Sequence, residues 1–155
     1  MRRVAVATCV LLILAPAAFA QDKPALRIVA EGIGKEAAAC GIKTEAVESA
    51  AARALNERGV QVSSDARDGY LYINVNAYRV MQGATAVGCT TRLGLSVRGT
   101  PDPEPRIRGF KPKAGAYVVL CDAGRLLSGS QRDVSGAVVR ALEEDVKSCL
   151  GQLSY

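Results

Sequence analysis

The sequence predicts an α+β fold: an antiparallel sheet of four to five strands with two helices packed on one face, a two-layer sandwich. Three observations predict it. Residues 70–81 and 85–98 alternate apolar and polar side chains with period two, the pattern of strands with one buried face. Residues 44–59 and 131–152 instead repeat their apolar residues at helical spacing. The helices are interspersed among strands joined by short turns, which favours α+β over a parallel α/β sheet.

The chain opens on Met1-Arg2-Arg3, then an apolar run from Val4 to Ala15, then Ala18-Phe19-Ala20. These are the basic, apolar and small-residue parts of an export signal, so cleavage after Ala20 is expected. Pro16 and the A-x-A end argue against a retained anchor helix, and Cys9 precedes most of the apolar run, unlike a lipidated cysteine. Residues 1–20 are thus expected to leave, and 21–155 to remain as one domain in the periplasm or outside the cell.

Ala25 to Ala30 reads as the first strand, ended by Gly32-Ile33-Gly34, with Lys35 to Gly41 as a loop or short turn. Thr44 is a suitable N-cap, and Glu45 and Glu48 sit where the helix dipole favours negative charge. Val47, Ala50, Ala51, Ala54 and Leu55 form one apolar face, and Gly59 is placed to end the helix. Val60 to Ser63 is a short strand and Asp65 to Gly69 a turn. On the long strand that follows, Leu71, Ile73, Val75 and Ala77 take one face, and Tyr70, Tyr72, Asn74, Asn76 and Tyr78 the other. Gln82 to Ala84 turns the chain into a partner strand with Val87, Cys89, Leu93, Leu95 and Val97 inward. A Pro-rich basic loop, 99–115, holds Pro101, Pro103, Pro105 and Pro112, which discourage regular structure. Ala116 to Cys121 is the next strand, ended by Asp122-Ala123-Gly124, with a short continuation at Leu126-Leu127. The last helix, from Gln131 to Gln152, turns a stripe of Val134, Val138, Ala141, Leu142, Val146, Cys149 and Leu153 inward.

Without the signal, 135 residues remain, suited to a single domain. About 44 % of them are apolar, and the formal charge falls from +5 to +3, so the basic balance is in part an export feature. The chain has no histidine, which excludes His-assisted Ser or Cys triads and His-ligated zinc or haem. No segment after the signal is apolar enough to span a bilayer.

Four cysteines remain, Cys40, Cys89, Cys121 and Cys149, with no C-x-x-C among them. An even number in an exported chain implies disulfides rather than a metal site. Cys40–Cys89 with Cys121–Cys149 is favoured, because the second bond would tie the last strand to the buried stripe of the last helix. The alternative, Cys40–Cys149 with Cys89–Cys121, stays open.

Cys40-Gly41-Ile42, Thr44, Ala51, Leu55, Gly59-Val60-x-Val62 and Tyr72-Ile73-Asn74-Val75-Asn76 resemble the pattern of a family of small exported bacterial proteins of uncharacterised function. The resemblance implies a strand-helix-strands-helix layout and a periplasmic location, and brings no activity with it. The layout is also similar in outline to accessory domains that dock onto other envelope proteins.

Motifs with chemistry are few. Gly32-Ile33-Gly34-Lys35-Glu36-Ala37 imitates a dinucleotide fingerprint, but the well-punctuated helix begins at Thr44, too late for its N-terminus to hold a pyrophosphate. No nucleophile motif occurs. Asp122 at a strand end and Asp133 near a helix start are the carboxylate pair best placed for general acid/base work, as in a small hydrolase of envelope polymers. Each also has a structural explanation, Asp122 in a turn and Asp133 in the first turn of a helix. No catalytic residue, cofactor or metal is expected.

Two features remain as binding candidates. One is the strand face of Tyr70, Tyr72, Asn74, Asn76 and Tyr78, with the amphipathic contact area that interfaces favour. The other is the loop cluster Arg106, Arg108, Phe110, Lys111 and Lys113. Lys111-Pro112 breaks the strand that would present stacking rings, so nucleic acid is not expected. The expectation is a non-enzymatic binding or accessory domain of the cell envelope. Its partner would be another envelope protein or an anionic envelope surface, and a second copy pairing as a homodimer is a further candidate.

Overall fold

The computed structural model describes residues 24–67, 69–99 and 118–153. The export signal at 1–20 lies outside the described residues, as do Arg106, Arg108, Phe110, Lys111 and Lys113 of the basic loop.

The described chain runs β1 (Ala25–Glu31), α1 (Lys35–Ala39), α2 (Thr44–Glu57), β2 (Gln61–Val62), β3 (Gly69–Gln82), β4 (Thr85–Gly99), β5 (Val118–Gly129) and α3 (Gln131–Gly151). The strands form one sheet in the order β2-β1-β3-β4-β5. β3, β4 and β5 are antiparallel, but β1 runs parallel to both β2 and β3. The fold is therefore α+β with a five-stranded mixed sheet and three helices, which corrects the expectation of an antiparallel sheet with two helices. The cause is the connection from β1 to β3. It carries α1 and α2, long enough for a crossover that returns the chain to the end where β1 began.

Several elements differ from their sequence reading. Residues 35–39 form a short helix rather than a loop, burying Ala37. Thr44 is the first helical residue instead of the cap; Lys43 holds the N-cap position with no side-chain hydrogen bond. β5 runs unbroken through Asp122-Ala123-Gly124, because Ser96, Leu95 and Gly94 of β4 pair across from them. Val87 is 53 % exposed instead of inward. Val80 lies opposite Gly88 and Met81 opposite Ala86, so Val87 is the extra residue of a β-bulge and loses the alternation.

Where the alternation holds, it sets the core. Leu71, Ile73, Val75 and Ala77 of β3 are buried opposite Val97, Leu95, Leu93 and Thr91 of β4. Cys89 and Cys121 share this face, and disulfides join Cys40 to Cys89 and Cys121 to Cys149, with Cα–Cα distances of 5.9 and 5.7 Å. The end of α1 and the last turns of α3 are thereby tied to the same side of the sheet. α2 adds Val47, Ala50, Ala51, Ala54 and Leu55 to the core, and α3 adds Val134, Val138, Leu142 and Val146. Arg53 of α2 pairs with Glu143 of α3 at 2.6 Å, and Lys147 of α3 with Glu57 of α2 at 2.6 Å. Gly59, at φ +77°, takes the left-handed conformation just past α2, and Ser130 caps α3 by accepting from the Asp133 backbone N–H at 3.3 Å.

Candidate functional site

The opposite face of the sheet carries the side chains of other parity, and the register arranges them in cross-strand rows. Arg27, Tyr70 and Arg98 are neighbours, followed by Val29, Tyr72, Ser96 and Asp122. The next row is Glu31, Asn74, Gly94 and Gly124, then Asn76, Arg92 and Leu126, then Tyr78, Thr90 and Ser128. All five Tyr and Asn positions singled out from the sequence thus stand on this face. Tyr70, Tyr72, Asn74 and Asn76 are half-buried among their neighbours, and Tyr78 is 62 % exposed.

These side chains are held by one another. The Tyr72 hydroxyl donates to Glu31 Oε2 at 2.7 Å and accepts from Asn74 Nδ2 at 3.5 Å. Asn76 Nδ2 donates in turn to Asn74 Oδ1. The hydrogen bond to the Glu31 carboxylate holds the Tyr72 phenol above its usual pKa, since ionisation would set two negative charges together. The Arg98 guanidinium stacks 4.8 Å from the centre of the Tyr72 ring and 5.6 Å from that of Tyr70. It also donates to Ser96 Oγ at 3.1 Å and to the Tyr70 hydroxyl at 3.2 Å. Arg27 lies 5.9 Å over the other side of this cluster, against Tyr70. The result is a fixed polar and aromatic surface.

Arg27, Glu31 and Arg92 are part of this face and were not singled out as binding residues from the sequence, and Arg98, near the basic loop in the chain, was not read as part of it. The parity of β4, where Arg92, Ser96 and Arg98 alternate with Leu93, Leu95 and Val97, is the signal that would have found Arg92 and Arg98. Glu31 becomes visible only through the parallel register of β1 with β3.

Asp122 and Asp133 do not come together. Asp122 points outward beside Ser96, whereas Asp133 is bound into the α3 cap, accepting from the Ser130 hydroxyl at 2.6 Å. Gly129, just before α3 folds back, lies seven residue steps along extended β5 from Asp122, roughly 23 Å at the strand rise, so this pair cannot flank one bond. A helix does begin directly behind Gly34, but it is only five residues long. The Gly32 Cα instead packs against β3, where a Cβ would meet the Val75 carbonyl oxygen at 2.6 Å. Gly32 is therefore explained by strand packing. Among the described residues no group of three or more His, Cys, Asp or Glu side chains is placed to hold a metal, and no helix is long and apolar enough to cross a membrane.

No protein-family model and no curated protein matches the chain. Among solved structures it is similar to a PelC dodecamer from Paraburkholderia phytofirmans, at 18 % identity and a TM-score of 0.47, covering 85 % of this chain and 88 % of that one. It is also similar to a minor lipoprotein from Acinetobacter baumannii, at 14 % identity and a TM-score of 0.35, covering 81 % and 94 %.

Proposed function

We propose that the chain is a non-enzymatic exported binding domain of the bacterial cell envelope, and that the outer face of the sheet is its recognition surface. In this reading α2 and α3 cover one face as the second layer of a two-layer sandwich, and the Tyr/Asn face is left for a partner. The observation that carries it is the order of that face. Arg98 is stacked on Tyr70 and Tyr72, and Tyr72 is bonded to Glu31, so little side-chain freedom is left to lose on binding. Two buried disulfides support an oxidising compartment, in accord with the export signal at residues 1–20. In this reading the positive charges of Arg106, Arg108, Lys111 and Lys113, with Phe110 among them, favour an anionic partner.

A photo-crosslinking residue placed at Tyr78 in living cells tests this. Adducts to an envelope component are expected there, and fewer from a helix-side position such as Glu45. Equal adduct yields from the two positions would overturn the reading. An adduct of twice the chain mass would make the partner a second copy.

A further inference from the structure

The two edges of the sheet are finished differently. β2 ends one side with only 2 residues, too short to template another strand. β5 ends the other with 12 residues, and among the described residues it is paired on one side only. From Cys121 to Gly129 it holds no proline, no lysine and no bulge, the devices that blunt an edge. Val119, Leu120 and Leu126 are exposed, Leu126 at 74 %. A long, unprotected, partly apolar edge invites a further strand.

Charge selects which strand. Arg92 and Asp122 are exposed on the outer face, and among the described residues neither has a hydrogen-bond or ion-pair partner. Arg92 faces Leu126, and Asp122 faces Ser96, so within one copy the two charges stand about 13 Å apart along the strands. Consider a second β5, antiparallel to the first and related to it by a two-fold axis normal to the sheet. Both outer faces then lie on one side, paired residues share parity, and the axis falls on a residue. With the axis at Gly124, Asp122 of the second copy lies opposite Leu126, in the row of Arg92. Two strand spacings, about 10 Å, separate the Cα atoms of that arginine and aspartate, a span their side chains cover across Leu126. The axis makes the same contact a second time. An axis at Ala123 would bring Leu120 to that row, and one at Arg125 would bring Gly124; neither joins the charges.

The rest of the register fits. On the inner face Arg125 comes opposite Ala123 of the second copy, so no like charges are opposed there. Gly124 meets its own copy on the axis with no side chain to accommodate, in a row it shares with Gly94. α3 packs over both β4 and β5. The two α3 helices would therefore lie two strand spacings, roughly 10 Å, apart, an ordinary packing distance.

We propose that the chain forms a two-fold dimer through the edge of β5, with Arg92 of each copy paired to Asp122 of the other. The proposal goes beyond the reading of the outer face, which the dimer leaves open and makes twice as wide.

Sedimentation equilibrium of the disulfide-intact protein tests it. A monomer–dimer equilibrium is expected with a Kd on the order of 10 μM, since edge pairing gives an interface at the small end of the stable range. Arg92→Asp and Asp122→Arg each set like charges together at both contacts, and each should weaken the dimer about tenfold or more. Both side chains are exposed, so neither change disturbs the core. Combining Arg92→Asp with Asp122→Arg restores opposite charges and should return the Kd to within about threefold of wild type. A protein that stays monomeric at about 1 mM overturns the proposal. A dimer indifferent to both single changes, or a combined variant no tighter than either, overturns it too, because the contact then lies elsewhere. Tyr78 is on β3, two strands in from this edge. Cellular adducts retained there without a dimer leave the recognition surface standing, and a dimer without such adducts leaves the edge pairing standing.

Discussion

Asp145 is a charged residue placed among apolar ones. Its side chain is 8 % exposed, and it is held by Arg125, whose Nε and Nη2 lie 2.8 and 2.6 Å from Oδ1. Oδ2 is buried with no hydrogen-bond partner among the described residues. Arg125, on β5, also reaches Glu144 at 2.9 Å, so its guanidinium fastens the edge strand to the middle of α3. The carboxylates of Asp145 and Glu144 hold the Arg125 pKa above its usual value, the hydrogen bond to Asp145 most of all. Removing one partner of such a pair strands the other charge, which costs more than the pair itself contributes. Arg125→Ala should lower stability in urea by about 3 kcal/mol, the low end of the usual range because Arg125 is partly solvated. The double variant Arg125→Met with Asp145→Leu should recover most of that loss. A single variant as stable as wild type would show that water already solvates Asp145. Nothing in the heptad-like spacing of α3 announces this residue. Asp145 sits between Leu142 and Cys149 on the inward side, and the run Glu143-Glu144-Asp145 reads as a solvated face until β5 brings Arg125 against it.

At the scale of elements, exposed ion pairs link the helices to their neighbours. Glu36 of α1 accepts from Arg79 of β3 at 3.0 and 3.1 Å, and Glu57 of α2 pairs with Lys147 of α3. Hydrogen bonds from these cations, with their charge, depress both carboxyl pKa values below 4.5. A carboxyl with a lowered folded pKa adds stability above its unfolded value, and that contribution is lost as pH falls through the folded one. The thermal midpoint should therefore drop as pH falls below about 4.5. Glu36→Gln combined with Glu57→Gln should make the drop shallower, and 1 M salt should shrink the difference by screening exposed charges. A wild-type acid profile matching that of the double variant would count against any role for these pairs.

Much of the element order was legible in the sequence because it rests on local rules. Alternation marks β3 and most of β4, and Gly59 marks the end of α2. What was not legible is set by distant partners. The five residues of α1 are too short to display a period. Asp122-Ala123-Gly124 looks like a strand end, yet β4 supplies a paired backbone on one side and carries β5 onward. The parallel placement of β1 depends on which end of the sheet the chain returns to, and no local pattern encodes that. The site divides in the same way. The Tyr/Asn face could be read along one strand, whereas Gly94 and Gly124 become a pair only through the β4–β5 register.

For the whole molecule, the two disulfides stitch helical segments to the sheet at β4 and β5. They close loops of 49 and 28 residues, and loops of that size should contribute roughly 3.5–4 kcal/mol each on the chain-entropy account. Replacing Cys121 and Cys149 together by serine should lower the free energy of unfolding by a corresponding amount and raise the m-value, because the freed unfolded chain exposes more surface. A shift no larger than that of a surface substitution would mean the unfolded chain is already compact. Neither bond touches β1 or β2. β1, the first strand of the described residues, nevertheless lies inside the sheet, with β2 on one flank and β3 on the other. A chain delivered from its N-terminus therefore presents β1 before either neighbour exists. β1 must wait, unpaired, until Gln61 and then Gly69 have followed it, while the β3–β4 hairpin can close as soon as it is delivered. Threading through a membrane would thus separate the appearance of β1 from its incorporation, and the interval between the two is when this strand is open to a chaperone or to misplaced pairing.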